Sequence, residues 1–531
     1  GSGAHAGVAR FPYQPGGLMM VTGINKNRFL TASIGLLLIV SGCTAVGPNF
    51  EKPEAEVSDS WLEAHDPRVD TSSTAYKDWW QVFNDPILIE LIERAYNQNL
   101  NLQVAGLRIL EARAQLGIAT GLQYPQSQTV GASYARSKSS VNAPPFSNLP
   151  DDVANRVNPT INSWSTSFDV AWEADIWGKF RRGVEAADAN LAANMLNYDA
   201  VLVTLSGDIA LLYTTIRTLE QRLSYTEENV KLQKQALKLA TARFDLGATS
   251  ELDVQQSISL VKNTESLLPF FKMKIRQSKN ALSVLLGMPP NDLEDVLKGP
   301  AEIPQAPTLA AVGIPADLIR RRPDVRAAEM VAAAQSATIG IAKADLYPQF
   351  VLAGSIGLAG ATFSDQFQSG SGTGFITPLI NWNIFNYGRI KNNVRAKDAR
   401  FQQTVVTYQN VVLNAAREVE DGLVGFLRAQ EQVGYLEAAV TASQRSLSLS
   451  LDQYRAGTVD YQRVLNSQTS LLGQQDSLAE ARGSIVSSLV STYRALGGGW
   501  QLREGNPYVD SETTQTMSER TNWGKLLDDQ E

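Results

Sequence analysis

Two periods alternate along this chain. From Arg181 to Asp245, and again from Arg389 to Arg455, about 65 residues run without a proline and with few glycines; at 1.5 Å per residue each stretch predicts ~100 Å of helix. In the second, Phe426, Val433, Val440 and Leu447 recur every seven residues, with Ala429, Leu436 and Ser443 three later. That is a 3.5-residue period with small side chains along one seam, suited to helices packed closely side by side. Each rod stops at a glycine, Gly247 or Gly457, where a left-handed cap fits. A shorter helix then returns, 253–286 or 460–496, each ~50 Å, and an earlier helix from Pro86 to about Leu122 adds ~55 Å. Two short helices end to end therefore match one rod, the balance a wall of helices needs. Pro269 is expected to kink or interrupt the first returning helix.

Between the helices the period changes to two. Trp164, Thr166, Phe168, Val170 and Trp172 alternate with Ser163, Ser165, Ser167, Asp169 and Ala171, and Phe350, Leu352, Ile356 and Leu358 alternate with Ala353, Ser355 and Gly357. One face is apolar with aromatic ends and the other is small and polar, which is how a transmembrane barrel strand reads. The plainer reading of any one such segment is a half-buried strand of a soluble sheet. Residues 135–160, rich in Ser, Asn and Pro, and 360–374, rich in Gly and Ser, read as exposed hairpin loops.

The two halves resemble each other at a fixed offset of 210. Trp172, Trp177-Gly178-Lys179 and Leu286-Gly287 answer to Trp382, Tyr387-Gly388-Arg389 and Leu496-Gly497. The chain reads as a tandem repeat. An N-terminal extension and signal segment is expected at 1–42 and a lipidated segment at 43–85. Repeat 1 then covers 86–290, with a β-hairpin at about 127–176 and helices 181–245 and 253–286. A Pro-rich linker follows at 291–314. Repeat 2 covers 315–500, with a hairpin at about 350–386 and helices 389–455 and 460–496, and a polar mobile tail ends the chain at 501–531. The fold class expected is a mixed α/β membrane protein. Its four strands per chain cannot close a barrel, since an open edge is not tolerated in lipid and barrels start at eight strands. More than one copy is required.

Composition narrows the chemistry. The 531 residues contain one Cys and two His, with a net charge of −7. All three of those residues, His5, Cys43 and His65, precede the repeats, so the repeats hold no thiol nucleophile, imidazole base or nitrogen or sulfur metal site. No catalytic residue, metal site or cofactor is expected, no phosphate-binding glycine loop is present, and the charge gives no reason to expect nucleic acid. At the N-terminus, Lys26 and Arg28 precede an apolar run, Phe29 to Val40, ending in Ser41-Gly42-Cys43. The run is shorter than the ~20 residues that span a bilayer, and it has a signal peptide's charged and apolar regions. Cys43 stands where a bacterial lipobox places the acylated cysteine. The plainer reading is a short signal anchor with an incidental Cys. Residues 1–18 precede a plausible start at Met19 or Met20.

Four motifs, Trp79-Trp80-x-x-Phe83-x-Asp85-Pro86, Asp175-Ile176-Trp177-Gly178-Lys179, Gly313-Ile314-Pro315-Ala316-Asp317-Leu318 and Arg321-Arg322-Pro323-Asp324-Val325-Arg326, resemble the TolC-like outer-membrane factor family, specifically its lipoprotein (NodT-type) branch. The resemblance covers roughly 43–500. It implies a homotrimer whose twelve strands form one β-barrel in the outer membrane of a Gram-negative cell and whose twelve helices form an α-helical periplasmic barrel. It implies a passive efflux channel, joined through a periplasmic adaptor to an inner-membrane RND transporter, with covalent lipid on Cys43. The exit duct of a type I protein secretion system or of a heavy-metal efflux system fits the same sequence, and a lipid-anchored periplasmic coiled-coil scaffold is the alternative from another class.

The periplasmic tip is expected at the turns 247–253 and 457–463, with Asp253, Gln256, Asp460, Arg463 and Asn466 as gate candidates and Gly247 and Gly457 as helix-turn caps. The family's constriction carries two acidic residues; the matching positions here are Arg463 and Asn466, a departure from its pattern. The plainer readings are that Asp460 is an N-cap and Ser250-x-x-Asp253 a capping box. Likewise Arg320-Arg321-Arg322 reads as the approach to a helix opened by Pro323 and Asp324, and Trp79, Trp80 and Phe83 as packing anchors.

Overall fold

The computed structural model describes residues 45–72, 77–144, 146–148, 150–154, 156–299 and 301–527; the signal segment expected at 1–42 and Cys43 lie outside them. In chain order the main elements are β1 (Val69–Asp70), α1 (Pro86–Gln98), α2 (Leu100–Gly121), β2 (Ser127–Lys138), β3 (Thr160–Ala174), α3 (Lys179–Asp245) and α4 (Glu251–Leu285). After these come β4 (Ala310–Ala311), α5 (Pro315–Arg321), α6 (Pro323–Ala344), β5 (Gln349–Gly360), β6 (Gly372–Asn381), α7 (Arg389–Arg455), α8 (Tyr461–Ala495) and α9 (Ser511–Arg520). One order of elements occurs twice: two helices end to end, a strand pair, a helix of 67 residues and one of 35.

The helix expected over 86–122 is two helices, divided at Asn99. Asn99 is extended (φ −68°, ψ 120°), and its carboxamide accepts from the Leu102 amide and donates to the Leu285 carbonyl at the end of α4. A side chain that caps one helix start and one helix end outweighs continuation of a single helix. The second half has the same device in other chemistry. Arg322, between α5 and α6, donates to the Ala495 carbonyl at the end of α8 (2.9 Å) and pairs with Glu418 (2.6 Å) and Asp324 (2.8 Å), while Pro323 opens α6. Of the two outcomes expected at Pro269, interruption does not occur, and α4 runs through it. Pro269 is itself exposed, so its ring projects to water and not into the packed side of the helix.

The largest core lies at mid-height. Trp79, Trp80 and Phe83 are buried, with Trp79 stacked on Tyr493 (5.9 Å) and Asp85 capping α1 through the Ile87 and Leu88 amides. The expected mobile tail is instead packed there as far as residue 527. Tyr508, Val509 and Met517 are buried, Tyr508 meets Tyr198 edge-on at 5.1 Å, and Arg503 pairs with Asp199 at 2.8 Å. Leu502, Trp523 and Leu527 pack against the same core, so apolar anchors spaced through a polar stretch dock it. The linker is tied as well, with Leu293, Val296, Ala310 and Val312 buried and β4 paired in parallel with β1. In the rods, Phe426, Ala429, Val440 and Leu447 are buried, so the 3.5-residue seam faces the neighbouring helices.

Candidate membrane sheet and periplasmic tip

β2, β3, β5 and β6 form one antiparallel sheet in the order β2-β3-β5-β6, so the two hairpins are joined through β3 and β5. Register brings most of the apolar positions of the four strands to a single face. Val130, Phe168 and Ile356 lie level, as do Tyr134 and Trp164, and Trp172, Leu352 and Pro378. On the other face Ser133 meets Ser165, and Asp169 lies between Thr129 and Ser355; Ile161, Val351, Phe375 and Leu379 are apolar exceptions there. The apolar face is the outer one: Val130, Ile356, Ile376 and Ile380 are 78%, 67%, 73% and 66% exposed, while Ser165, Ser167 and Ser355 are only half-buried. This inverts a soluble sheet, where the apolar side is the buried one.

Aromatic rings mark both ends of the face. Tyr134, Trp164, Phe363 and Phe367 form a chain of contacts at the loop end (4.7, 5.5 and 5.6 Å), and Trp172, Trp177 and Trp382 stand at the helix end. Eight residues separate Trp164 from Trp172, about 26 Å at a strand rise of ~3.3 Å, comparable with the ~25 Å apolar band of outer-membrane barrels. Among the described residues α3 alone has an 18-residue window apolar enough to cross a bilayer as a helix, and 61% of that window is buried inside the protein. The surface fit for lipid is the sheet. Its outer strands, β2 and β6, have no partner beyond β3 and β5 among the described residues.

At the far end of the rods two turns close alike. Gly247 and Gly457 have φ of 68° and 74° just past the helix ends, their amides bond Phe244 and Tyr454 carbonyls, and the next amides reach Arg243 and Gln453. This double closure needs a left-handed residue at the glycine. Asp460 accepts from the Arg463 amide at 3.3 Å. The expected capping box at Ser250 does not form, because the Ser250 side chain makes no cap bond and the Asp253 carboxylate instead accepts from Thr249 and from the Tyr454 hydroxyl (3.4 Å).

The tip is joined by residues that sequence reasoning did not single out. Arg243 donates to the carbonyls of Tyr454 and Arg455 and lies 4.7 Å from the Tyr454 ring. Tyr454 meets Tyr461 at 5.1 Å, and the Tyr461 hydroxyl donates to Ser257 at 2.6 Å. Burial raises the pKa of both tyrosines, keeping them neutral donors. Together they staple the α3–α4 hairpin to the α7–α8 hairpin. The signal in the sequence was a break in the repeat, since Tyr454 and Tyr461 stand opposite Phe244 and Glu251. Of the gate candidates, Asp253 joins this network and Gln256 is half-buried. Asp460, Arg463 and Asn466 are exposed, with Gln462 donating to Asn466 at 2.9 Å, and among the described residues Asp460 and Arg463 form no ion pair.

The described chain begins against the sheet's helix end. The Val46 amide donates to the Trp177 carbonyl (2.9 Å), Asn49 accepts from the buried Arg182 (2.8 Å), and Ala45 abuts Gly178. Cys43 is two residues upstream of Ala45.

The sequence profile of a family described as outer membrane efflux protein matches residues 91–288 and 314–498. The toluene efflux pump outer membrane protein TtgF of Pseudomonas putida is 30% identical over 490 residues, 90% of this chain and 98% of that protein. Nodulation protein T of Rhizobium leguminosarum bv. trifolii is 29% identical, over 89% and 97% of the two chains. The solved structure of the outer-membrane channel OprN superposes with a TM-score of 0.79 at 28% identity, covering 86% of this chain and 99% of that one.

Proposed function

Because the chain belongs to the outer membrane efflux protein family, we propose that it is the exit duct of a tripartite RND efflux pump, a homotrimer passively conducting small toxic organic compounds from the pump to the exterior. The observation that carries this reading is the inverted sheet: the more apolar side outward, the more polar side inward, two edges unpaired among the described residues, and helices of 67 residues continuing from it. In lipid each unpaired backbone group costs several kcal/mol, so β6 of one subunit pairs with β2 of the next. Three subunits give a twelve-stranded barrel and, below it, a twelve-helix tunnel. A duct needs no reaction centre. Its work is to keep a continuous wet path gated at the tip, and an adaptor and an inner-membrane transporter engage the periplasmic end.

The lipid anchor on Cys43 belongs to the same reading. Val46 and Asn49 are pinned to the Trp177–Arg182 junction where the strands leave the apolar band, so an acylated residue just upstream reaches the inner leaflet. Organic cargo is the class suggested by the relative's toluene pump. Purified protein in planar bilayers is expected to give discrete single-channel currents and a native mass three times that of the subunit. A monomer that conducts nothing would refute the duct and leave the scaffold.

A further inference from the structure

We propose that the seam between subunits copies a contact this chain already makes with itself, seating Tyr387 of one subunit on Tyr124 of the partner subunit. The inference rests on the trimeric duct above. Its basis is the correspondence of the two strand–helix junctions. Trp172 donates its indole N–H to the Gln123 carbonyl, and Trp382 donates to the Leu346 carbonyl. Each half thus ties the end of its second strand to the helix end before its first. Trp172 matches Trp382 and Gln123 matches Leu346. By position Trp177-Gly178 matches Tyr387-Gly388, with both glycines left-handed (φ 76° and 83°) but Tyr387 also left-handed (φ 50°) where Trp177 is not, and Tyr124-Pro125 matches Tyr347-Pro348.

Where β3 meets β5 inside the chain, these residues interlock. The Trp177 ring stacks on Tyr347 with centroids 4.7 Å apart and planes 24° from parallel, and its indole N–H donates to the Pro348 carbonyl at 2.7 Å. The same parts in the other pairing are bare. Tyr387 is 103% exposed and Tyr124 65% exposed, a state poorly suited to rings of this size. They stand at the free edges, Tyr387 after β6 and Tyr124 before β2. Closing the barrel brings β6 of one subunit to β2 of the next, and repetition of the β3–β5 geometry then places Tyr387 against Tyr124 of the partner subunit, with the Tyr387 hydroxyl donating to the carbonyl of the partner's Pro125.

One part of the internal contact is not copied. Lys179 pairs with Asp345 at 3.0 Å, whereas the matching residues are Arg389 and Leu122. The contact between Tyr387 and the partner subunit's Tyr124 is therefore a ring stack with a neutral hydrogen bond, and its contribution is insensitive to salt.

The test uses the full chain in membranes, with Tyr124→Cys and Tyr387→Cys combined and each alone, treated with a short bis-maleimide. The double variant is expected to give covalent dimers and trimers on denaturing gels; each single variant stays monomeric on them. Tyr387→Ala is expected to lower the temperature at which the trimer dissociates in SDS, equally at low and high salt, and Tyr387→Trp to restore it. A wild-type native mass of three subunits without cross-linking of the double variant would overturn the seam and leave the duct standing, with Tyr387 facing lipid headgroups instead. A monomeric wild type would overturn both.

Discussion

A single charge on the sheet separates a lipid-facing surface from a water-facing one. Ile356 is near the middle of β5, level with Phe168 and Gly374 and 67% exposed. If that face meets acyl chains, Ile356→Arg places a guanidinium near the bilayer midplane, which costs about 2–4 kcal/mol per subunit in outer-membrane barrels, and about 6–12 kcal/mol for three copies. If the face meets water, the substitution stays within about 0.5 kcal/mol, as for an ordinary surface site. Ser355, one residue earlier, points the other way and lies opposite Asp169, so Ser355→Arg gains an acidic neighbour on the face that the duct reading makes the wet one. Urea unfolding from lipid vesicles, read by tryptophan fluorescence, is expected to show Ile356→Arg strongly destabilised and Ser355→Arg close to wild type. Equal stability of Ile356→Arg and wild type, with Ser355→Arg the weaker, would refute the inverted sheet.

Two glycines with nearly the same backbone provide a second check. A Cβ at Gly287 (φ 70°) would lie 2.1 Å from the Gln98 carbonyl oxygen, whereas at Gly247 (φ 68°) nothing lies within 4 Å. Gly247→Ala is expected to lose only the left-handed cost of about 1–2 kcal/mol, and Gly287→Ala clearly more, compared by denaturant midpoints. At the tip, Arg243→Ala removes the donor to the Tyr454 and Arg455 carbonyls and the cation on the Tyr454 ring; single-channel conductance should rise with no loss of helical circular dichroism. Asp66 supplies a pH test. Hydrogen bonds from Arg68 push its carboxyl down to about 2, below the ~3.9 of an unfolded chain. The stabilisation is therefore complete above pH ~4 and lost as pH falls toward 2. Asp66→Asn should melt below wild type at pH 6, and the gap should close on acidification.

What the order of residues determined by itself was whatever depends on near neighbours. The rods, the alternating strands and the glycine-closed turns follow from hydrophobic period, absence of proline and the left-handed tolerance of glycine, each acting within a few residues. Tertiary structure decided the rest. Asn99 breaks a helix because Leu285 offers a carbonyl, and the tail docks because Gly106 leaves room for Tyr508. The staple at the tip joins Arg243 to Tyr454, 211 positions apart. The exposed places of Asp460, Arg463 and Asn466 likewise depend on how two hairpins meet. The physical reason is the same throughout: a period reports which side of an element is apolar, while a long-range bond depends on donors and acceptors brought together only when distant elements pack.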